Sequence, residues 1–303
     1  MTSIISSTGA FFDKARTDMK GLRAQAEALQ GQLSSSSRLA RASDDPVAAA
    51  RLRALSRLES LSQVDTANAT RASADLSLAD GAMTDMADAI IRAQELATQA
   101  ASSTLTAEQR SAIGAELGQL HTSLLALANT RDSAGHALFG DESTGDAYRL
   151  DAAGNAAYVG TATVEELPLG EGQSVTRAMT GPQVLAFTDK AGHPADVMAT
   201  VKVLADALAA GTATPPDALA NLKTGLDTLS TAQTVVGTRL AWIDLTTERR
   251  TDLSELRSTE QAEIGGTDIA ATMARLQETL TILEASQAGF ARLSGLTLFD
   301  QLR

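Results

Sequence analysis

Residues 69–97 read ATRASADLSLADGAMTDMADAIIRAQELA. Within them Ala69, Ala72, Leu76, Ala79, Met83, Met86, Ile90, Ala93 and Ala97 recur at alternating spacings of three and four. That period runs one apolar stripe down one face of a helix and demands a partner for it. Upstream, Ser43-Asp44-Asp45-Pro46 supplies the start. Ser or Asp caps free N–H groups, acid suits the positive end of the helix dipole, and Pro is tolerated in the first turn. The pattern predicts a helix from about residue 44 to about residue 101, spanning ~85 Å at 1.5 Å per residue. Rods of that length belong to fibres and bundles.

Working outward, residues 12–33 carry a second heptad in Phe12, Ala15, Met19, Leu22, Ala26, Leu29 and Leu33. Four serines, Ser34 to Ser37, interrupt it, since serine hydroxyls compete for backbone hydrogen bonds. Downstream, Thr106-Ala107-Glu108-Gln109 forms a capping-box signal. It opens a helix lined by Ile113, Leu117, Leu120, Leu124 and Leu127, which stops near Asn129. From 131 to 193 the heptads vanish and nine glycines punctuate the chain. Short β-type runs appear at 147–150, 156–159, 161–167 and 174–178, with Asp151-Ala152-Ala153-Gly154-Asn155 as a hairpin turn. Helical pattern returns near 195–210. Pro215-Pro216-Asp217 opens another long helix to about residue 260, with Leu219, Leu222, Leu226, Leu229, Val236, Leu240 and Ile243 along one side. After Gly265-Gly266 a final heptad runs through Ile269, Met273, Leu276, Leu280, Leu283, Gln287 and Phe290, and the tail Leu293, Leu296, Leu298, Phe299 and Leu302 stays apolar.

The plan is palindromic. It predicts a mainly α fold with a small β-rich insertion: long antiparallel coiled-coil helices formed by both termini, with β-hairpins in the middle. The expected division is 1–42 and 265–303 as the two halves of an inner coiled-coil domain, 43–140 and 194–264 as the halves of a helical second domain, and 141–193 as a small outer β-rich domain.

Composition agrees with a bundle. Hydrophobic residues are 44% of the 303, yet aromatics are 3%, so the cores are built from Ala, Leu and Val rather than from large rings. A net charge of −12 argues against nucleic acid and anionic membrane surfaces as partners. The absence of cysteine excludes disulfides, thiolate metal sites and cysteine nucleophiles. No stretch reaches the ~20 apolar residues of a membrane span. Met1 to Phe12 lacks the basic and apolar regions of a secretory signal, so export would use another route.

The chemistry-bearing residues do not form a site on sequence grounds. His121, His136 and His193 are far apart and lack ligand spacing. Asp44-Asp45 reads as a capping pair rather than an acid/base pair. Gly170-Glu171-Gly172 lacks the strand–helix context of a nucleotide loop and reads as a turn. No catalytic, cofactor or metal residues are expected. Two apolar terminal heptads without an obvious core to join point instead to assembly: they pair with each other and then with neighbouring subunits. The residues expected to pack between subunits are Phe12, Met19, Leu22, Leu29, Leu33, Ile269, Met273, Leu276, Leu280, Leu283, Phe290, Leu298 and Phe299.

Several segments resemble the flagellin superfamily, and more narrowly its hook–filament junction branch. They are Ser43-Asp44-Asp45-Pro46-Val47-Ala48-Ala49-Ala50, Leu96 to Ala101, Ala128 to Gly140, and the ending Leu283 to Leu302. Position 137 is Ala where the branch has an aromatic. Flagellins usually lack the proline at the helix start and end in an Asn/Gln-rich run. The resemblance implies a structural role rather than an enzyme. It implies secretion through the flagellar type III apparatus with an export chaperone, and a ring of copies at the junction. Hook-associated protein 1 would lie on the hook side and flagellin on the filament side. A filament subunit, and a cytoplasmic signalling coiled coil lacking its membrane anchor, are the alternatives.

Overall fold

The computed structural model describes residues 2–140, 145–161, 164 and 166–300, with side chains from 10 to 294 within those ranges. In chain order the elements are α1 (Thr2–Ser35), α2 (Pro46–Ala100), α3 (Ala107–Ala128), β1 (Tyr148–Leu150), β2 (Ala156–Tyr158), β3 (Glu166–Gly170), β4 (Gln173–Thr176), α4 (Gly181–Leu185), β5 (Ala186–Thr188), β6 (Pro194–Asp196), α5 (Val197–Ala209), α6 (Ala218–Gly265) and α7 (Ile269–Asp300). The chain forms two compact units, one of residues 1–60 and 252–303 and one of residues 61–251.

The first unit is built from both ends of the chain. Helix α1 packs along α7 antiparallel. At one end Ser37 bridges to Gly266, and the Arg38 N–H donates to the Gly265 carbonyl at 2.8 Å. Toward the other, Phe12 meets Phe290 edge to face, ring centroids 5.3 Å apart. The serine run and the Gly265-Gly266 break thus pair with each other where both helices turn. The helix start behaves as a cap. Asp45 Oδ1 accepts the Ala48 N–H at 3.0 Å, and that bond holds its carboxyl below the usual range, helped by Arg38. Asp44 does something else: its Oδ2 accepts the Arg41 N–H at 2.7 Å and closes the preceding turn. In the same unit Arg51 grips Glu260 with two bonds, 2.6 and 2.8 Å.

The second unit holds the main core. All nine positions of the 69–97 heptad are at most 2% exposed, and each Leu, Ile or Met so buried contributes roughly 1.5–3 kcal/mol. Thr106 and Gln109 form the capping box that starts α3. Helices α3 and α5 cross closely: a Cβ on Gly114 would lie 2.3 Å from the Ala209 nitrogen and 2.9 Å from the Ala205 carbonyl oxygen. Only glycine allows that approach. Asn129 at the end of α3 stitches on the insertion, its amide bonding both the N–H and the C=O of Tyr148 at 2.9 Å.

Among the described residues the insertion holds three two-stranded antiparallel hairpins, β1–β2, β3–β4 and β5–β6. The expected runs at 147–150 and 156–159 are the first. Of the run at 161–167, residues 162, 163 and 165 lie outside the described residues; Glu166 and Leu167 belong to β3, which pairs with β4 through a bulge between Pro168 and Gly170. The third hairpin and α4 are additions to the sequence reading. One turn recurs in Asp132–His136, Asp151–Asn155 and Asp189–His193. In each, the Asp Oδ1 accepts the N–H groups two and four residues on, at 2.8–2.9 Å. Each has glycine fourth, at φ +88°, +82° and +85°. A short acceptor in first place and a left-handed residue in fourth close a five-residue loop.

Candidate assembly surface

Among the described residues the polar side chains form no catalytic constellation. Among the described residues no group of three or more His, Asp or Glu is arranged to hold a metal ion. His136 and His193 stand beside the aspartates of their own turns, Nδ1 3.4 and 3.5 Å from Oδ2. The carboxylate neighbours missing from their sequence spacing are thus turn partners. His121 is buried between α3 and α5, and its Nε2 has no hydrogen-bond partner. Burial lowers its pKa, and Lys202 adds to this while Asp206 opposes it.

The most buried charges form a network rather than an active site. Arg177 lies 3.8 Å from Asp75 and 3.9 Å from Asp132. Burial raises the Asp75 carboxyl, with Asp132 adding to it. Burial also works to raise Asp132, but the N–H groups of His136 and Ala134 outweigh it and leave its pKa lowered. The void these residues enclose is about 10 Å³, room for one water and for no substrate. An open groove of about 560 Å³ along Ile91, Gln94, Glu95, Thr98, Gln99 and Leu219 carries a single carboxylate, and its one hydroxyl, Thr98, donates to the Gln94 carbonyl of its own helix. The Gly170-Glu171-Gly172 stretch is the tip of β3–β4, clamped to the helices by Asn68, which donates to the Pro168 carbonyl at 3.0 Å, and by Arg250, which donates to the Leu169 carbonyl.

The terminal helices carry the distinctive surface. On α1, Phe12, Met19, Leu22, Leu29 and Leu33 are half-buried against α7. On α7 the inward positions are Thr272, Leu276, Thr279, Leu283 and Phe290, with the threonines only 7% and 5% exposed. Ile269, Met273 and Leu280 face outward at 55%, 53% and 42% exposure. The heptad of α7 is therefore split lengthwise, one edge taken by α1 and one left bare. Leu298 and Phe299 lie outside the residues whose side chains are described. Sequence periodicity missed Thr272 and Thr279 because threonine scored as polar.

A family model for the bacterial flagellin N-terminal helical region matches residues 7–144. Across nearly the whole chain the similarity is narrower. Flagellar hook-associated protein 3 of Escherichia coli K12 is 26% identical over 305 aligned positions, covering 93% of this chain and 96% of that protein. The chain is similar to hook-associated protein 3 along nearly its whole length. Solved structures share its fold. A flagellar hook-associated protein from Vibrio parahaemolyticus superposes with a TM-score of 0.65 at 19% identity, covering 74% of this chain and all of that one. The flagellar junction protein FlgL from Legionella pneumophila gives 0.59 at 15%, covering 71% and 99%. The paired terminal helices with a β-hairpin insertion agree with the fold expected from the sequence.

Proposed function

We propose that the chain is a structural adaptor of the bacterial flagellum, forming a ring of copies between the hook-associated ring and the flagellin filament. Filament growth and motility would depend on it. The observation that carries this reading is the bare edge of α7. Ile269, Met273 and Leu280 stay exposed after α1 and α7 have paired, and an exposed apolar edge on a long helix is a surface for another subunit. Its neighbours in this reading are further copies of itself, hook-associated protein 1 on the hook side and flagellin on the filament side. The protein would be held by an export chaperone before it leaves through the flagellar type III apparatus, and the terminal heptads would form the inner domain of the tube.

The test is immunogold electron microscopy of flagella with an antibody raised to residues 145–193. The expected result is a single band of gold where hook meets filament. Gold along the whole filament would make the chain a filament subunit. Unlabelled flagella would overturn the flagellar reading.

A further inference from the structure

The second unit leaves two helix stripes uncovered. On α6 the stripe is Val235, Trp242 and Leu245, which are 37%, 40% and 58% exposed. On α2 it is Val64 and Leu78, 58% and 45% exposed, in one row with the exposed small residues Ala67, Ala74 and Gly81 and with Arg71. The two helices face each other where Gln233 donates to the Thr84 hydroxyl at 3.2 Å. At about 100° per residue, the α2 stripe lies roughly 60–160° round its helix from Thr84, and the α6 stripe lies roughly 120–180° round from Gln233. Both stripes are therefore centred away from the side on which α2 and α6 meet, and they do not cover each other within one chain.

They are complementary. The α6 stripe is large-featured, with the chain's one tryptophan at its centre, the residue type most enriched at the centre of protein interfaces. The α2 stripe offers small residues at heptad spacing. The α6 edge is flanked by exposed Asp244 and Glu248, and the α2 edge carries exposed Arg71. We propose that a second copy of this chain docks here, the α6 edge of one copy lying antiparallel on the α2 edge of the next. In this register Trp242 sits over Ala74, Val235 over Gly81, and Arg71 between Asp244 and Glu248. Two different patches in contact make a head-to-tail interface that propagates from copy to copy, so this inference rests on the reading that the chain assembles with itself.

The lack of native cysteine makes the test direct. A Cβ at Gly81 meets no atom within 4 Å, so Gly81→Cys is tolerated by the fold. Flagella are isolated from cells making the full chain as Gly81→Cys/Val235→Cys, oxidised, and run without reductant. The expected result is a ladder of cross-linked multimers from the double variant, none from either single variant, and dimers alone from a mixture of the two singles. Chain present in the flagella but monomeric after oxidation overturns this interface while leaving the assembly reading intact. Chain absent from flagella, for wild type as well, overturns both. A second measurement avoids cysteine: Arg71→Glu reduces incorporation, and combining it with Asp244→Arg and Glu248→Arg restores it. A reversed combination that fails to rescue, in a chain with wild-type thermal stability, also overturns the pairing.

Discussion

His121 is the residue at which solvent acidity reaches the helical core. Its imidazole is 6% exposed, its Nε2 has no partner, and Lys202 and Asp206 of α5 are the charges that face it. Its pKa in the fold lies below the ordinary 6.5, so below that pH the unfolded chain binds the proton more readily. Stability held above the ordinary value is lost as pH falls through it toward the folded value. Thermal unfolding followed from about pH 8 to about pH 5 is expected to show a declining acid limb, flattened in His121→Phe. Parallel limbs for the two proteins would mean that other groups carry the dependence. This role is not legible in the sequence, because an isolated histidine on an amphipathic helix looks the same whether its neighbour is α5 or water.

At the scale of elements, two glycines one helical turn apart on α3 should respond in opposite directions. A Cβ at Gly118 meets nothing within 4 Å, whereas one at Gly114 collides with the backbone of α5. Gly118→Ala is expected to stabilise by about 1 kcal/mol, the helix-propensity difference. Gly114→Ala is expected to destabilise by about 3 kcal/mol, since backbone cannot move aside as a side chain does. Denaturant melts of both variants check the contrast, and equal effects would show that α3 and α5 do not pack as described. How legible an element was depended on how much of its own stabilisation is local. The 69–97 heptad reads cleanly because every core position is apolar. The division of α7 into two edges does not, since periodicity marks a stripe without saying how much of it one partner covers. The third hairpin was legible in principle: Asp189-Lys190-Ala191-Gly192-His193 repeats the pattern of Asp151-Ala152-Ala153-Gly154-Asn155. It went unread because its strands span three residues each.

For the whole molecule, the bare edge of α7 separates folding from assembly. Leu280 is 42% exposed and outside the α1–α7 seam, so Leu280→Asp should leave the melting temperature close to wild type while abolishing incorporation into flagella. Normal motility in that variant would remove the edge from the assembly surface. Charge acts on the same process at longer range. The second unit carries 23 acidic against 12 basic residues, and the first 14 against 13. Copies brought side by side therefore repel through their second units, and salt should speed their association by screening. Light scattering of concentrated protein across a salt series would show this, and association that weakens with salt would put attractive ion pairs in control instead.

The pairing of α1 with α7 also has a consequence in time. It joins segments from the two ends of the chain, and closing so long a loop costs entropy that is recovered only when both helices are in place. The turns of five residues and the neighbouring α3 and α5 close far shorter loops and so form earlier. A molecule caught midway therefore has a finished centre and two unmarried ends, and whichever helix it meets first, its own or a neighbour's, decides whether it matures alone or in company.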